Sequence, residues 1–230
     1  MTLDEAKEAA AREALQHVSD GMKIGLGTGS TAARFVAGLG EMVANGLNVV
    51  CVPTSEATRE QAESLSIPLT RLDEEPVLDL TVDGADELDA NLTLIKGGGG
   101  ALLREKIVAS SSKQMIVIAD HTKKVATLGA SSLPVEVVPF GVKSTAMKLE
   151  QAGKWAGCEG ALALRIRDGE LFVTDNGNVI IDCAFGKIPD AQKLASVIST
   201  IPGVVDHGLF IGMASMAILG GPDGLEIIES

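Results

Sequence analysis

Met22-Lys23-Ile24-Gly25-Leu26-Gly27-Thr28-Gly29-Ser30-Thr31 is the stretch from which the fold can be read. The apolar run from Met22 to Leu26 has the length of one buried strand. It enters a glycine-rich turn, and beyond the turn Ala32, Ala33, Phe35, Val36 and Leu39 fall at helical spacing over residues 30–39. A turn of this kind between a strand and a helix N-terminus suits an anion. Glycines let the backbone come close, N–H groups point outward, and the helix dipole favours negative charge. Thr28, Ser30 and Thr31 add hydroxyl donors. No lysine follows Gly29, so this is not a Walker A loop. Ser30 stands where a dinucleotide fingerprint needs glycine, and no acidic residue closes the next strand at Val49 to Val52. A small phosphorylated ligand fits better than ATP or NAD, and a plain strand-to-helix turn with a Ser/Thr cap is the alternative.

Outward from this unit, residues 20–120 alternate strand and helix. Strands are expected at 47–52, 68–71, 77–82 and 114–119, and helices at 56–64 and 101–111. The strands are near-continuous apolar runs, as in a mostly parallel sheet covered by helices on both faces. Ligands of such sheets bind beyond the carboxyl ends of the strands, and the loops at 25–31, 83–86 and 120–123 all leave on that edge. Before the first strand, residues 4–18 read as a helix carrying Lys7, with Thr2 and Glu5 spaced as a capping box. From Leu133 the order becomes strand 135–138, helix 144–152, strand 161–167, a hairpin of 171–174 with 179–184 through Asn176-Gly177, helix 190–199 and strand 204–210. That is the split βαβ order of a small ferredoxin-like α+β domain. The expected organisation is a Rossmann-like α/β domain at 1–130 with 207–230, and an α+β domain at 131–206. The apolar tail after Gly208 returns to the first sheet or the domain junction.

Of the 230 residues 46% are hydrophobic, enough to bury a core, and the net charge is −12. With one Trp, no Tyr and no basic stripe, nucleic-acid binding is disfavoured. Cys51, Cys158 and Cys183 are far apart with no CxxC, and the acidic N-terminus has no secretory n- or h-region. No apolar stretch has the length of a bilayer. A soluble cytoplasmic protein is expected, and the scattered His17, His121 and His207 offer no metal site.

The densest chemistry lies at residues 81–106. Asp83 and Asp86 follow a buried strand, and like charges that close drive one pKa upward, as proton transfer requires. Lys96 precedes Gly97 to Gly100, whose unshielded N–H groups suit a developing oxyanion. Glu105, early in the next helix, is a general-base candidate if burial tunes it. Lys123 or Lys124 follows a strand on the same edge. Each feature has a bland counterpart: a capped turn, a hinge, a solvated helix face.

At these residues the sequence resembles the A-type ribose-5-phosphate isomerase family. The matching pieces are Gly27-Thr28-Gly29-Ser30-Thr31, Asp83-Gly84-Ala85-Asp86-Glu87, Lys96-Gly97-Gly98-Gly99 with Ala101-Leu102, Arg104-Glu105-Lys106, Ala119-Asp120 with Lys123, Leu133-Pro134-Val135-Glu136-Val137 and His207-Gly208-Leu209-Phe210. The resemblance implies interconversion of ribose 5-phosphate and ribulose 5-phosphate in the non-oxidative pentose phosphate route, with no metal or organic cofactor, by a homodimer or homotetramer. It implies substrate contacts at Thr28, Gly29, Ser30, Thr31, Asp83, Gly84, Ala85, Asp86, Lys96, Gly97, Gly98, Gly99 and Lys123. Glu105 becomes the proton acceptor of a cis-enediolate mechanism, Asp83 and Asp86 serve ring opening and oxygen protons, and Lys96 with the glycine amides stabilises the enediolate. The phosphate falls on Thr28–Thr31 aided by Lys7, or, with reverse polarity, on Lys96 and the glycines. Two other readings are a related sugar-phosphate enzyme, such as a deaminase or lactonase, and a sugar-phosphate sensor, which needs no base.

Overall fold

A computed structural model describes residues 1–230. In chain order it begins with α1 (Leu3–Leu15), β1 (Lys23–Leu26), α2 (Ser30–Ala44), β2 (Val50–Pro53), α3 (Glu56–Ser64) and β3 (Leu78–Asp83). The short strands β4 (Glu87–Leu88) and β5 (Leu94–Ile95) lead to α4 (Leu102–Ser110) and β6 (Ser112–Asp120). Next come β7 (Leu133–Val137), α5 (Val142–Trp155), β8 (Ala161–Leu164), β9 (Ile166–Arg167), β10 (Glu170–Leu171), β11 (Val179–Ala184), α6 (Ala191–Ile198) and β12 (Val204–His207). The chain closes with β13 (Leu209–Phe210), β14 (Met216–Gly221) and β15 (Gly224–Glu229). It forms two compact units: Met1–Ala85 with Arg104–Lys123 and Gly212–Ser230, and Asp86–Leu103 with Lys124–Ile211. The segment 131–206, expected as a domain, lies inside the second unit, which also takes 86–103, 124–130 and 207–211.

In the first unit a six-stranded sheet runs β15-β14-β6-β3-β1-β2, parallel except for the edge pair β14–β15. Alternate strand residues face opposite sides. Ile24, Leu26, Leu80, Val82, Ile116, Ile118 and Ile218 bury one side against Ala10, Ala11 and Ala14 of α1 and Phe35, Val36 and Leu39 of α2. Val108 of α4 packs on Val52 and Leu78. There α4 comes so close that a Cβ on Gly25 would stand 2.5 Å from Val108 Cγ1. Thr2 caps α1 and Glu5 completes the capping box. The result is a mostly parallel sheet with helices on both faces.

In the second unit the order β12-β7-β11-β8 is antiparallel throughout, as the split βαβ order requires. Leu133, Val135, Val137, Val179, Ile181 and Cys183 meet Leu149 of α5 and Leu194 and Ile198 of α6. The opposite face carries polar groups, including the fully buried Glu136. A further three-stranded sheet, β13-β5-β4, holds the segment before the glycines.

Two expectations change. Residues 68–71 form no strand, only the single bridge Cys51↔Leu69. The hairpin is β9–β10, turning at Asp168 and Gly169 with φ of 53° and 83°. A two-residue type I′ turn needs positive φ at both central residues, and only this pair supplies it. Asn176-Gly177 does turn the chain, but it joins Val173 to Val179 by one bridge, while β11 pairs with β7 and β8. The tail does return to the first sheet, as β14, and adds the β14–β15 hairpin at its edge.

Candidate active site

Parallel order aligns the carboxyl ends of β1, β3, β6 and β14 on one edge of the first unit. Thr28 to Thr31 leave β1 there, Asp83 to Ala85 end β3, and Lys123 lies on the 3-10 turn His121–Lys123 directly after β6. Asp120, itself buried, accepts from Thr122 N at 3.1 Å and from the Thr122 hydroxyl, which fixes that turn. Lys7 belongs to the same edge. Its neighbour Ala6 packs its carbonyl on Gly220 near the end of β14, where a Cβ would stand 2.0 Å from Ala6 O.

The loop after β1 is built to leave helix amides available. Gly29 is the N-cap of α2 with φ 111° and no side-chain cap, and the first turn holds no acidic residue. Such an N-terminus attracts an anion. The loop is tied down from below. Thr28 N donates to Asp83 Oδ1 at 3.1 Å, and Gly84 N donates to the same oxygen at 2.7 Å. Gly27 must lack a side chain, because a Cβ would lie 2.3 Å from Asp83 Oδ1 and 2.5 Å from Asp83 Cα. Thr28 Oγ1 sits among three hydroxyls, Thr54 at 2.7 Å, Ser55 at 2.8 Å and Thr58 at 3.2 Å. Thr54 in turn donates to Leu26 O and Thr58 to Gly27 O, each at 2.9 Å. The sequence marks Pro53-Thr54-Ser55-Glu56 only as a helix start; three hydroxylated residues around the start of α3, Thr54, Ser55 and Thr58, were the available signal.

Besides Asp120, two carboxylates of this unit are buried: Asp83, 0% exposed, and Glu105, 4% exposed. Glu105 lies in the first turn of α4, where the helix dipole favours a carboxylate. Its neighbour Arg104 donates to Glu56 Oε1 at 2.8 Å, pinning the start of α4 to that of α3. That hydrogen bond, with a second from Arg59, holds the Glu56 carboxyl below its ordinary range.

In the second unit Asp86 and the Lys96–Gly99 loop are brought together. Asp86 N donates to Ile95 O at 2.8 Å, and Asp86 Oδ2 accepts from Gly98 N at 2.7 Å. Asp83 and Asp86 therefore serve different loops. Lys96 is 2% exposed, with its ammonium 5.5 Å from the centre of the Phe210 ring, a distance at which the ring quadrupole favours the cation. Lys96 N donates to Gly208 O at 2.9 Å, and a Cβ on Gly208 would stand 2.2 Å from Lys96 O. The late segment 207–210 thus supports Lys96, a role its sequence did not announce. Gly97 has φ 106°, a left-handed conformation that turns the chain sharply after the lysine. No cluster of three or more His, Cys, Asp or Glu side chains is arranged to hold a metal ion.

A family model described as ribose 5-phosphate isomerase A (phosphoriboisomerase A) matches residues 50–224. A protein named ribose-5-phosphate isomerase A from Parvibaculum lavamentivorans is 58% identical over 231 residues, covering 100% of both chains. Its namesake from Rhodopseudomonas palustris strain BisA53 is 60% identical over 230 residues, covering 100% of this chain and 95% of that one. Among solved structures, the ribose 5-phosphate isomerase of Plasmodium falciparum superposes with a TM-score of 0.94 at 40% identity and 99% coverage of each chain. A D-ribose-5-phosphate isomerase in complex with phospho-erythronic acid superposes at 0.92 with 38% identity over 100% of each chain.

Proposed function

The chain belongs to the ribose 5-phosphate isomerase A family and interconverts ribose 5-phosphate and ribulose 5-phosphate, and on that premise we propose that Glu105 moves the proton between C2 and C1 through a cis-enediolate. The observation that carries this is the burial of Glu105 and Asp83 in the unit whose Thr28–Thr31 loop presents uncapped helix amides. A carboxylate withdrawn from water is a competent base toward a C–H next to a carbonyl. Glu105 takes the C2 proton and returns it to C1. Asp83 and Asp86 assist ring opening and proton movement between O1 and O2. Lys96 and the amides of Gly97 and Gly99 stabilise the negative oxygen of the enediolate, while the Gly98 amide, held by Asp86, fixes the loop.

The substrate phosphate binds at Thr28, Gly29, Ser30 and Thr31, with Lys7 and Lys123 as cationic partners and Gly84 and Ala85 lining the sugar. What supports this polarity is the uncapped start of α2 and the hydroxyl support beneath Thr28. Phospho-erythronic acid, the ligand of the related enzyme, carries a carboxylate where the enediolate oxygens would lie and a phosphate at the other end, so it is a suitable binding probe. Neither a metal nor an organic cofactor has a part in these steps. A cytoplasmic location fits three buried free cysteines. Assembly as a homodimer or homotetramer fits the exposed Phe140, Met147, Trp155 and Ile166, and light scattering would measure it.

The test is turnover of ribose 5-phosphate by purified protein in D₂O with a chelator present. On a carboxylate base, exchange with solvent competes with return of the proton to C1, so carbon-bound deuterium is expected in part of the product. Activity lost to the chelator, or a Glu105→Gln variant that turns over at the parental rate, would contradict proton transfer by this carboxylate.

A further inference from the structure

The carbonyl side of the Gly97–Gly99 loop carries an arrangement that none of these roles uses. Arg165 follows β8, and its side chain is 11% exposed. Its Nη1 donates to Gly97 O at 2.7 Å and to Gly98 O at 3.1 Å. Its Nε donates to Asp182 Oδ2 at 2.9 Å and its Nη2 to Asp182 Oδ1, a bidentate pair with β11. The Phe172 ring centre lies 5.9 Å from its guanidinium carbon and 4.2 Å from that of Arg167. Phe172 also braces the loop's far end, where a Cβ on Gly100 would stand 2.3 Å from its Cζ. Arg167 Nη2 donates to Gly99 O at 3.2 Å.

A trans peptide is planar, so holding one residue's carbonyl aims the next residue's N–H the opposite way. All peptide bonds of this chain are trans. The Gly97 carbonyl shares its plane with Gly98 N–H, which is taken by Asp86 Oδ2 at 2.7 Å. The Gly99 carbonyl shares its plane with Gly100 N–H, which turns back to Gly97 O at 3.0 Å. The Gly98 carbonyl shares its plane with Gly99 N–H, which has no acceptor within the chain. Of the three gripped carbonyls, only that of Gly98 aims an amide left for a ligand.

We propose that Arg165, locked by Asp182 and Phe172, is a positioning residue for the isomerisation: by gripping the Gly98 carbonyl it directs Gly99 N–H at the oxygen on which enediolate charge develops. This rests on the role given above to the glycine amides. Arginine suits the task because its planar fork serves two carbonyls and one carboxylate at once, whereas a lysine ammonium is a point donor on a flexible stem. Arg167 grips a peptide whose N–H is already engaged, so it contributes little to turnover.

The experiment compares Arg165→Met, Arg165→Lys, Asp182→Asn, Arg167→Met and Glu105→Gln in the full chain. It reads kcat and KM for ribose 5-phosphate, Kd for phospho-erythronic acid, the amide resonance of Gly99 and the melting temperature. Arg165→Met should lower kcat about 100-fold, the scale of one lost oxyanion donor, with KM within about 3-fold and the Gly99 resonance shifted. Arg165→Lys should stay folded and recover less than about a tenth of the lost kcat. Arg167→Met should stay within about 3-fold of the parent. If Arg165→Met fails to fold, Arg165→Lys and Asp182→Asn decide by the same readouts. Folded Arg165 variants with parental kcat, an unmoved Gly99 resonance, or an equal loss in Arg167→Met would each overturn the proposal. Glu105→Gln separates the two levels: if it is active, the underlying site assignment fails; if it is inactive while Arg165→Met is not, only the positioning role fails.

Discussion

Thr58→Val keeps the shape of the side chain and removes one buried hydroxyl beneath the Thr28 loop. Thr58 is 5% exposed; its Oγ1 donates to Gly27 O at 2.9 Å, accepts from Ser55 Oγ at 3.0 Å and lies 3.2 Å from Thr28 Oγ1. Valine leaves the buried Gly27 carbonyl without that donor, at a cost of about 1–3 kcal/mol. Thr28 retains Thr54 and Ser55, and Ser55 retains Thr28, so their share is smaller, and a total of about 2–3 kcal/mol follows. For a chain of this length each kcal/mol moves the melting temperature by about 2–4 °C, so the midpoint should fall by roughly 5–10 °C. Activity should change in KM and not in kcat, because a displaced phosphate loop loses binding common to ground and transition states. A rise in KM of about 10-fold corresponds to roughly 1.4 kcal/mol of lost phosphate binding. Calorimetry and steady-state assays at 25 °C read both quantities. A midpoint shifted by less than about 1 °C would refute the energetic argument. A shifted midpoint with unchanged KM would refute the phosphate assignment and favour the reverse polarity.

Three further outcomes are expected. Hydrogen bonds from Lys113 and from Lys23 N hold the Asp79 carboxyl below its ordinary range, so its stabilisation is present above the unfolded pKa near 4 and lost as pH falls through the lower folded value. Asp79→Asn should therefore flatten the acid limb of a stability–pH curve and leave the curve above about pH 6 parallel to the parent's. Burial pushes the Cys51 and Cys183 thiols up to about 12, so a disulfide reagent at pH 8 should label them only after denaturation; fast native labelling would contradict their burial. Thr174 donates to the buried Glu136 Oε1 at 2.9 Å and accepts from Asn178 N at 3.2 Å, so Thr174→Val should cost about 2 kcal/mol, measured by denaturant unfolding.

The first unit was legible because its strands are apolar runs followed by glycine or aspartate turns, and that pattern has one economical arrangement, a parallel sheet with its loops on one edge. Periodicity failed where elements are too short to have a period: β4, β5 and β13 are two-residue strands, and the pairing of β13 with β5 joins segments remote in sequence. The hairpin was misplaced because Asn176-Gly177 and Asp168-Gly169 look alike as turn pairs, and the choice falls to backbone angles. Asn176 reaches Glu136 Oε1 at 3.2 Å, a bond that sequence spacing does not reveal. At the site, the carboxylates, Lys96 and the glycines stood out because their types and proximity are unusual. Thr54, Thr58, Phe210 and Arg165 did not. Each acts by supporting another residue from a distant segment, and a lone threonine or arginine carries no motif.

The central claim is that Glu105 is the base of the isomerisation. Glu105→Gln keeps the size of the side chain and removes its capacity to accept a proton from carbon. Turnover of ribose 5-phosphate and binding of phospho-erythronic acid, measured on one preparation, test it most directly. The account predicts a kcat lower by about 10³-fold or more, with Kd within about 5-fold of the parent. A variant that binds the probe and still isomerises at the parental rate would contradict it.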